Sequence, residues 1–292
     1  MLHYRDTPVQ KIHDEVLERA QVSLLIKRED LNHPYVSGNK WWKLKYNIKD
    51  AVDNNFKTLV TFGGAYSNHI FATAAAASEV NLKSVGIIRG ERTLPLNPTL
   101  SFAEQKGMKL YFIPREAYRE KKIPERLLDE LEDPYVIPEG GSNLWAVKGV
   151  RDFADTLKCE YDYLCCPVGT GGTLAGLIEQ VNVRKIILGF PVLKQADFLI
   201  NEILNLSKKS KDATNWRLMY DYHFGGYAKT TSQLLEFIER FKLLHNIPLE
   251  FVYTAKMMMG VYDLIGKNFF KPGSTILAIH TGGLQLQNGS PE

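Results

Sequence analysis

Short apolar runs that alternate with helical patterns constrain this chain more than any other feature. A strand of four to six apolar residues needs cover on both faces, and helices with one apolar stripe supply it. The alternation therefore predicts a parallel sheet with helices on both sides. Residues 58–62, 84–88, 109–113 and 135–137 read as strands, with helices expected over 70–80, 97–106 and 124–131. These make one doubly wound unit from about residue 50 to residue 150.

A second series then begins. Tyr163-Leu164-Cys165-Cys166-Pro167-Val168 is a buried-strand run, followed by a Gly-rich turn and a helix over 174–181. Residues 185–190 and 274–279 are further strands. A helix over 234–244 places Leu234, Leu235, Ile238, Phe241 and Leu244 on one face. The pattern holds no internal repeat and no low-complexity linker. Two sheets with a cleft between them are expected, and such a cleft suits a cofactor.

Composition enters mainly to exclude. With 45% hydrophobic and 24% charged residues in 292, the chain can bury a sizeable core. The net charge of +3 is spread out. Lys208, Lys209 and Lys211, like Lys121 and Lys122, read as solvated loops, so no nucleic-acid face is expected. Met1-Leu2-His3-Tyr4-Arg5-Asp6 reads as neither signal peptide nor anchor, and no apolar run is of bilayer length. Cys159, Cys165 and Cys166 form no disulfide framework and have no metal-ligand spacing, so a reducing cytoplasm and no metal are expected.

Chemistry is suggested first by Ser37-Gly38-Asn39-Lys40-Trp41-Trp42-Lys43. Lys40 stands at a helix entrance, hemmed in by Gly, Asn and two tryptophans. Desolvation there lowers an amine's pKa, and a neutral amine is what a Schiff base with an aldehyde requires. The bland reading is a solvated charge.

Three Gly-rich turns follow expected strands: Gly63-Gly64 with Ser67-Asn68-His69, Val168-Gly169-Thr170-Gly171-Gly172-Thr173, and His280-Thr281-Gly282-Gly283. The second suits a phosphate, since its amides open a helix and Thr170 and Thr173 add hydroxyls. It is neither a P-loop nor a Rossmann fingerprint, and tight turning alone is the competing explanation. Ser67 is a helix cap or, with His69 two residues on, a nucleophile. Tyr227 and Tyr253 are core, rim or catalytic.

Together these pieces resemble the pyridoxal-phosphate enzymes of the 1-aminocyclopropane-1-carboxylate deaminase and D-cysteine desulfhydrase family, with the tryptophan-synthase-β-like fold (fold type II). The carrying motifs, in order, are Lys27-Arg28-Glu29-Asp30-Leu31, Gly38-Asn39-Lys40 through Lys43-Leu44, Gly63-Gly64 with Ser67-Asn68-His69, Asn97-Pro98, Gly140-Gly141-Ser142-Asn143, Val252-Tyr253-Thr254-Ala255-Lys256 and His280-Thr281-Gly282-Gly283. The resemblance implies an α/β protein of two doubly wound domains with the cofactor between them. Residues 1–49 and 151–292 would form the larger, cofactor-binding domain, and 50–150 the smaller one.

Carried over by position, Lys40 is similar to the Schiff-base lysine. Lys43 and residues Val168, Gly169, Thr170, Gly171, Gly172 and Thr173 resemble the phosphate holders. Asn68 resembles the partner of the pyridoxal 3-hydroxyl. Ser67 resembles a binder of the substrate carboxylate and a catalytic proton handler, and Tyr227 and Tyr253 the two active-site tyrosines. The ring-opening deaminases carry Glu after the second tyrosine and Leu after the last-strand His. Thr254 and Thr281 stand here instead, the pair typical of desulfhydrases, and a hydroxyl holds the pyridine nitrogen less protonated. The resemblance thus implies elimination from D-cysteine, with ring opening as the alternative, and a homodimer acting on a small amino acid.

Ala65-Tyr66 replaces the usual Ile-Gln and is expected to reshape the carboxylate pocket. Trp41-Trp42 replaces a smaller or basic pair, and the region between Val192 and Tyr227 is short. Competing readings are a β-replacement enzyme of the same fold, a pyridoxal-phosphate carrier without turnover, and a serine hydrolase on Ser67.

Overall fold

A computed structural model of the chain describes residues 2–286. The elements run β1 (Val9–Ile12), α1 (Glu15–Arg19), β2 (Ser23–Lys27), α2 (Asn39–Asp53), β3 (Thr58–Gly64), α3 (Asn68–Glu79), β4 (Lys83–Arg89), α4 (Pro98–Gln105), β5 (Met108–Ile113), α5 (Arg115–Tyr118), α6 (Glu125–Leu128) and β6 (Pro134–Ile137). Then follow α7 (Leu144–Asp155), β7 (Tyr163–Val168), α8 (Gly172–Gln180), β8 (Ile186–Pro191), α9 (Phe198–Leu206), β9 (Trp216–Leu218), α10 (Ser232–His245), α11 (Thr254–Gly266) and β10 (Thr275–Ile279).

The strands form two sheets, in the α/β architecture that the alternation predicts. One has the order β5-β4-β3-β6, all parallel. The other has the order β1-β2-β10-β7-β8-β9, parallel except for β1 against β2. In each sheet the strand order reverses once: between β3 and β6 in the first, between β7 and β10 in the second. Loops leaving neighbouring strands at such a point diverge and leave a crevice at their carboxyl ends. The two crevices share one cavity, lined by residues from all four loops.

Helices α2, α7 and α8 carry the packing beneath the cavity. Trp42, Leu44 and Ile48 share a core with Val150, Phe153, Leu174 and Leu177. Full burial of each such side chain contributes roughly 1.5–3 kcal/mol. The α2 and α7 backbones approach so closely that a Cβ on Gly149 would lie 1.9 Å from the Trp42 carbonyl oxygen.

Three expectations need correction. The helix expected over 124–131 shrinks to the four residues of α6, bounded by Pro124 and by a turn after Leu128. On α10 only Leu234, Ile238 and Phe241 are buried, while Leu235 and Leu244 are exposed. That helix lies on the surface, so its buried stripe is narrower than its apolar one. Strands β1 and β2 escaped notice, because an edge strand reading Val-Gln-Lys-Ile and a five-residue neighbour ending in a buried lysine lack a clean apolar pattern.

Candidate active site

The cavity, of about 620 Å³, receives Lys40 and Lys43 from α2, Ser67 and Asn68 from the start of α3, and residues 168–173 from the turn after β7. Tyr227, Tyr253 and Thr281 complete it. Of the site residues expected from sequence, only Thr254 is missing from the wall.

Lys40 and Lys43 share a face of α2, since three residues bring the helix nearly once round. The Lys40 ammonium donates to Asn39 Oδ1 at 2.9 Å and lies 6.0 Å from the centroid of the Tyr253 ring. Burial lowers its pKa to about 8, with Glu250 and Cys166 opposing the shift. The tryptophans play no part in this. Trp41 donates to the His3 carbonyl and Trp42 to Glu29 Oε2, and both rings pack on Tyr4. At 100° per residue they leave α2 on other sides than the lysines do, so the expected hemming-in of Lys40 is instead the work of the cavity wall.

Lys43 is 2% exposed, and its ammonium contacts Ser142 Oγ at 3.0 Å and Thr170 Oγ1 at 3.5 Å. Burial, and then the neighbouring charge of Lys40, hold its pKa well below the ordinary value. Ser142 and Thr170 also meet at 2.5 Å, and Asn39 donates to Thr173 Oγ1 at 2.9 Å. A Cβ on Gly172 would stand 2.7 Å from Ser142 Oγ and 3.1 Å from Lys43 Nζ, so only glycine leaves this cradle open. A buried ammonium with hydroxyl partners alone, beside the amides that open α8, fits a phosphate dianion. Ser142 was legible as a motif member but carried no signal of this role.

At the α3 end, Ser67 behaves as a cap: its Oγ accepts from the amides of His69 and Ile70 at 3.2 and 3.3 Å. His69 turns its Nε2 to Thr61 Oγ1 at 2.8 Å. Burial and the two lysine charges hold its pKa well below the ordinary value, so it is neutral. The His69 ring thus bonds Thr61 and not Ser67 Oγ, and the hydrolase alternative loses its geometry. Asn68 lines the cavity with its Oδ1 accepting from Gln285, a partner that sequence reasoning missed. Tyr66, expected to reshape the pocket, is 53% exposed and off its wall.

Tyr227 and Tyr253 meet edge to face, with centroids 6.1 Å apart. Burial raises both phenols above the ordinary value, so both are protonated at neutral pH. Tyr253 stands at the N-terminus of α11, where Glu250 accepts from the amides of Val252, Tyr253 and Thr254 at 2.8, 2.7 and 2.6 Å. Burial lifts this carboxyl to about 7 against those amides. The same turn explains Thr254: its hydroxyl closes onto Glu250, accepting from the Glu250 amide at 3.1 Å, and so sits behind the wall. Thr281 does line the cavity, and its carbonyl accepts from the Asn39 amide at 3.3 Å.

Sequence reasoning also missed the mouth. Lys121, read as solvated, pairs with Glu139 at 2.5 Å and lies 3.5 Å above the centre of the Tyr118 ring. The Arg89 guanidinium stacks over the same ring and lines the cavity. Among the described residues the three cysteines are free, no group of side chains could hold a metal, and no helix is long and apolar enough to cross a membrane.

Comparison with known proteins bears on this geometry. The profile described as "Pyridoxal-phosphate dependent enzyme" matches residues 1–282. A Pyrococcus abyssi protein named "Putative 1-aminocyclopropane-1-carboxylate deaminase" is 31% identical, covering 96% of this chain and 89% of its own. The bifunctional D-cysteine desulfhydrase/1-aminocyclopropane-1-carboxylate deaminase of Arabidopsis thaliana, a mitochondrial protein, is 32% identical over 89% of this chain and 72% of its own. A crystal structure of an ACC deaminase homologue superposes with a TM-score of 0.84 at 28% identity, covering 98% of this chain and 91% of that one.

Proposed function

Because this chain belongs to the pyridoxal-phosphate dependent enzymes, and among them to the relatives of 1-aminocyclopropane-1-carboxylate deaminase and D-cysteine desulfhydrase, we propose that it eliminates sulfide from D-cysteine. With water the products are pyruvate, ammonia and hydrogen sulfide. The observation that carries the reading is the pair of lysines on one face of α2, one with its pKa lowered to about 8 and the other against the glycine cradle.

Pyridoxal phosphate supplies an electron sink for the bond to be broken. Its phosphate is assigned to Lys43, Ser142, Thr170 and the amides of residues 169–173. Asn68 would hold the cofactor's 3-hydroxyl, and Thr281 would stand at its pyridine nitrogen; both line the cavity. Lys40 Nζ is the amine that would hold the cofactor's aldehyde carbon and, when free, would take the proton from the substrate Cα. Ser67 and the amides at the start of α3 hold the substrate carboxylate. Tyr227 and Tyr253, kept protonated by burial, supply a proton to the departing sulfur. Residues 1–49 and 151–292 form the cofactor side in this reading, and 50–150 bring the substrate loop.

A hydroxyl at position 281 favours a good leaving group, since it does not hold the pyridine nitrogen protonated. Ring opening to 2-oxobutanoate is the second reading, supported by Glu250, a carboxylate lying behind Thr254 and near Gly283. The test follows sulfide from D- and L-cysteine beside 2-oxobutanoate from the cyclopropane acid. Faster release from D-cysteine is expected. Faster ring opening would reverse the assignment, and a visible band without turnover of any small amino acid would favour a carrier.

A pH prediction comes from Lys40. Capture of unphosphorylated pyridoxal by the empty site needs the neutral amine. Its rate should climb about tenfold per pH unit and level off near pH 8, where an ordinary lysine would keep climbing to about 10.4. Stopped-flow absorbance reads this directly, and a climb that continues beyond pH 9.5 would contradict it. The reading also includes a homodimer, which rests on the family resemblance alone and is testable by light scattering, and a place in the cytoplasm, which free thiols suit.

A further inference from the structure

We infer that Lys256 is a positioning residue whose buried ammonium holds the loop that carries Tyr227 into the cavity. The inference rests on reading Tyr227 as a proton donor. Lys256 lies on α11, three residues after Tyr253, and is 0% exposed. Its Nζ donates to the His223 carbonyl at 2.9 Å and the Gly226 carbonyl at 2.6 Å.

The segment it grips needs an anchor. Phe224, Gly225, Gly226 and Ala228 all have positive φ, at 47°, 88°, 111° and 54°. Such backbone makes neither a helix nor a strand ladder, and it costs energy at the two non-glycine positions. Three local bonds close the turn: the His223 carbonyl accepts from the Gly226 amide, His223 Nδ1 from the Gly225 amide, and the Gly226 carbonyl from the Lys229 amide. The Lys256 ammonium bridges both ends, and the next residue is Tyr227.

The choice of lysine is informative. Its neighbours Met257, Met258 and Met259 show what fills space on this helix. A buried cation costs far more than a methionine unless its protons find acceptors. Two carbonyls from one loop are what it finds. Helix α11 thus governs both tyrosines: Tyr253 by its own N-terminus, held by Glu250, and Tyr227 at a distance, through Lys256.

The test uses the holoenzyme with Lys256→Met, Lys256→Gln, Tyr227→Phe and both double variants. Lys256→Met should keep the visible cofactor band and lose about 10–100-fold in kcat, the range for a catalytic group misplaced by about 1 Å. Lys256→Gln, whose amide still donates, should recover part of that loss. In the Tyr227→Phe background, Lys256→Met should change kcat by less than about twofold. Losses that multiply, or a kcat within twofold of wild type, would overturn the inference. If Lys256→Met does not fold, Lys256→Gln runs the same cycle. Hydrogen exchange gives a readout independent of turnover: protection should fall over residues 223–228 and stay level over 254–266. Unchanged exchange over 223–228 would count against the tether. Inactivity of the wild type toward D-cysteine would instead count against the proposed function, leaving the exchange result to stand.

Discussion

Lys40→Ala is expected to remove the visible absorbance of the loaded protein and to lower turnover by about 10⁴-fold or more, because one change deletes both the covalent anchor and the base. The cradle at Lys43 and Ser142 is untouched by it, so the phosphate should still be held, reversibly. Dialysis should then strip the cofactor from the variant and not from the wild type. Added methylamine, small enough for the space the side chain leaves, should restore part of the turnover. Persistence of the visible band in Lys40→Ala would sink the assignment, and Lys43, the other amine on this face of α2, would be the residue to examine.

Gly38→Ala should be nearly as damaging, by a different route. Gly38 has φ 68° and ψ −143°, a region that side chains avoid, and its amide accepts no substitute geometry, since it donates to Asn32 Oδ1 at 2.8 Å and to the Glu29 carbonyl at 3.1 Å. An added Cβ would stand 1.9 Å from the Thr281 carbonyl oxygen. Backbone strain and overpacking together should cost about 4 kcal/mol. Such a loss corresponds to a fall of about 10 °C in melting temperature. Relief can come only by moving the α2 entrance away from β10, which shifts Lys40. Calorimetry and cofactor titration should therefore deteriorate together; a stable Gly38→Ala with normal cofactor affinity would show that this junction yields more easily than its geometry implies.

Much of the architecture was legible because buried parallel strands write themselves as apolar runs. Thr58–Gly64, Lys83–Arg89, Met108–Ile113 and Tyr163–Val168 match expectation to within two residues at either end. The site was legible where chemistry and turn coincide, as at Lys40 and the glycines of residues 169–172. It was illegible where a role depends on what the fold brings from afar. Ser142 meets Lys43 across 99 positions, and Gln285 reaches Asn68 across 217. Nothing in the sequence around Glu250 signals its role, which depends on three amides that the turn into α11 presents to it. The tryptophans misled for a related reason: adjacency in sequence on a helix means divergence in space.

The crevices of the two sheets open onto one another, and this has a consequence for how the molecule comes together. Ser142, from the loop after β6, touches Thr170, from the loop after β7, and the Lys43 ammonium bonds both hydroxyls. Each sheet thus contributes one side of a joint that neither possesses alone. A slip of about an ångström between the sheets would stretch these contacts beyond hydrogen-bond length together. The phosphate cradle is therefore a gauge of assembly, closed only when the halves are seated in register.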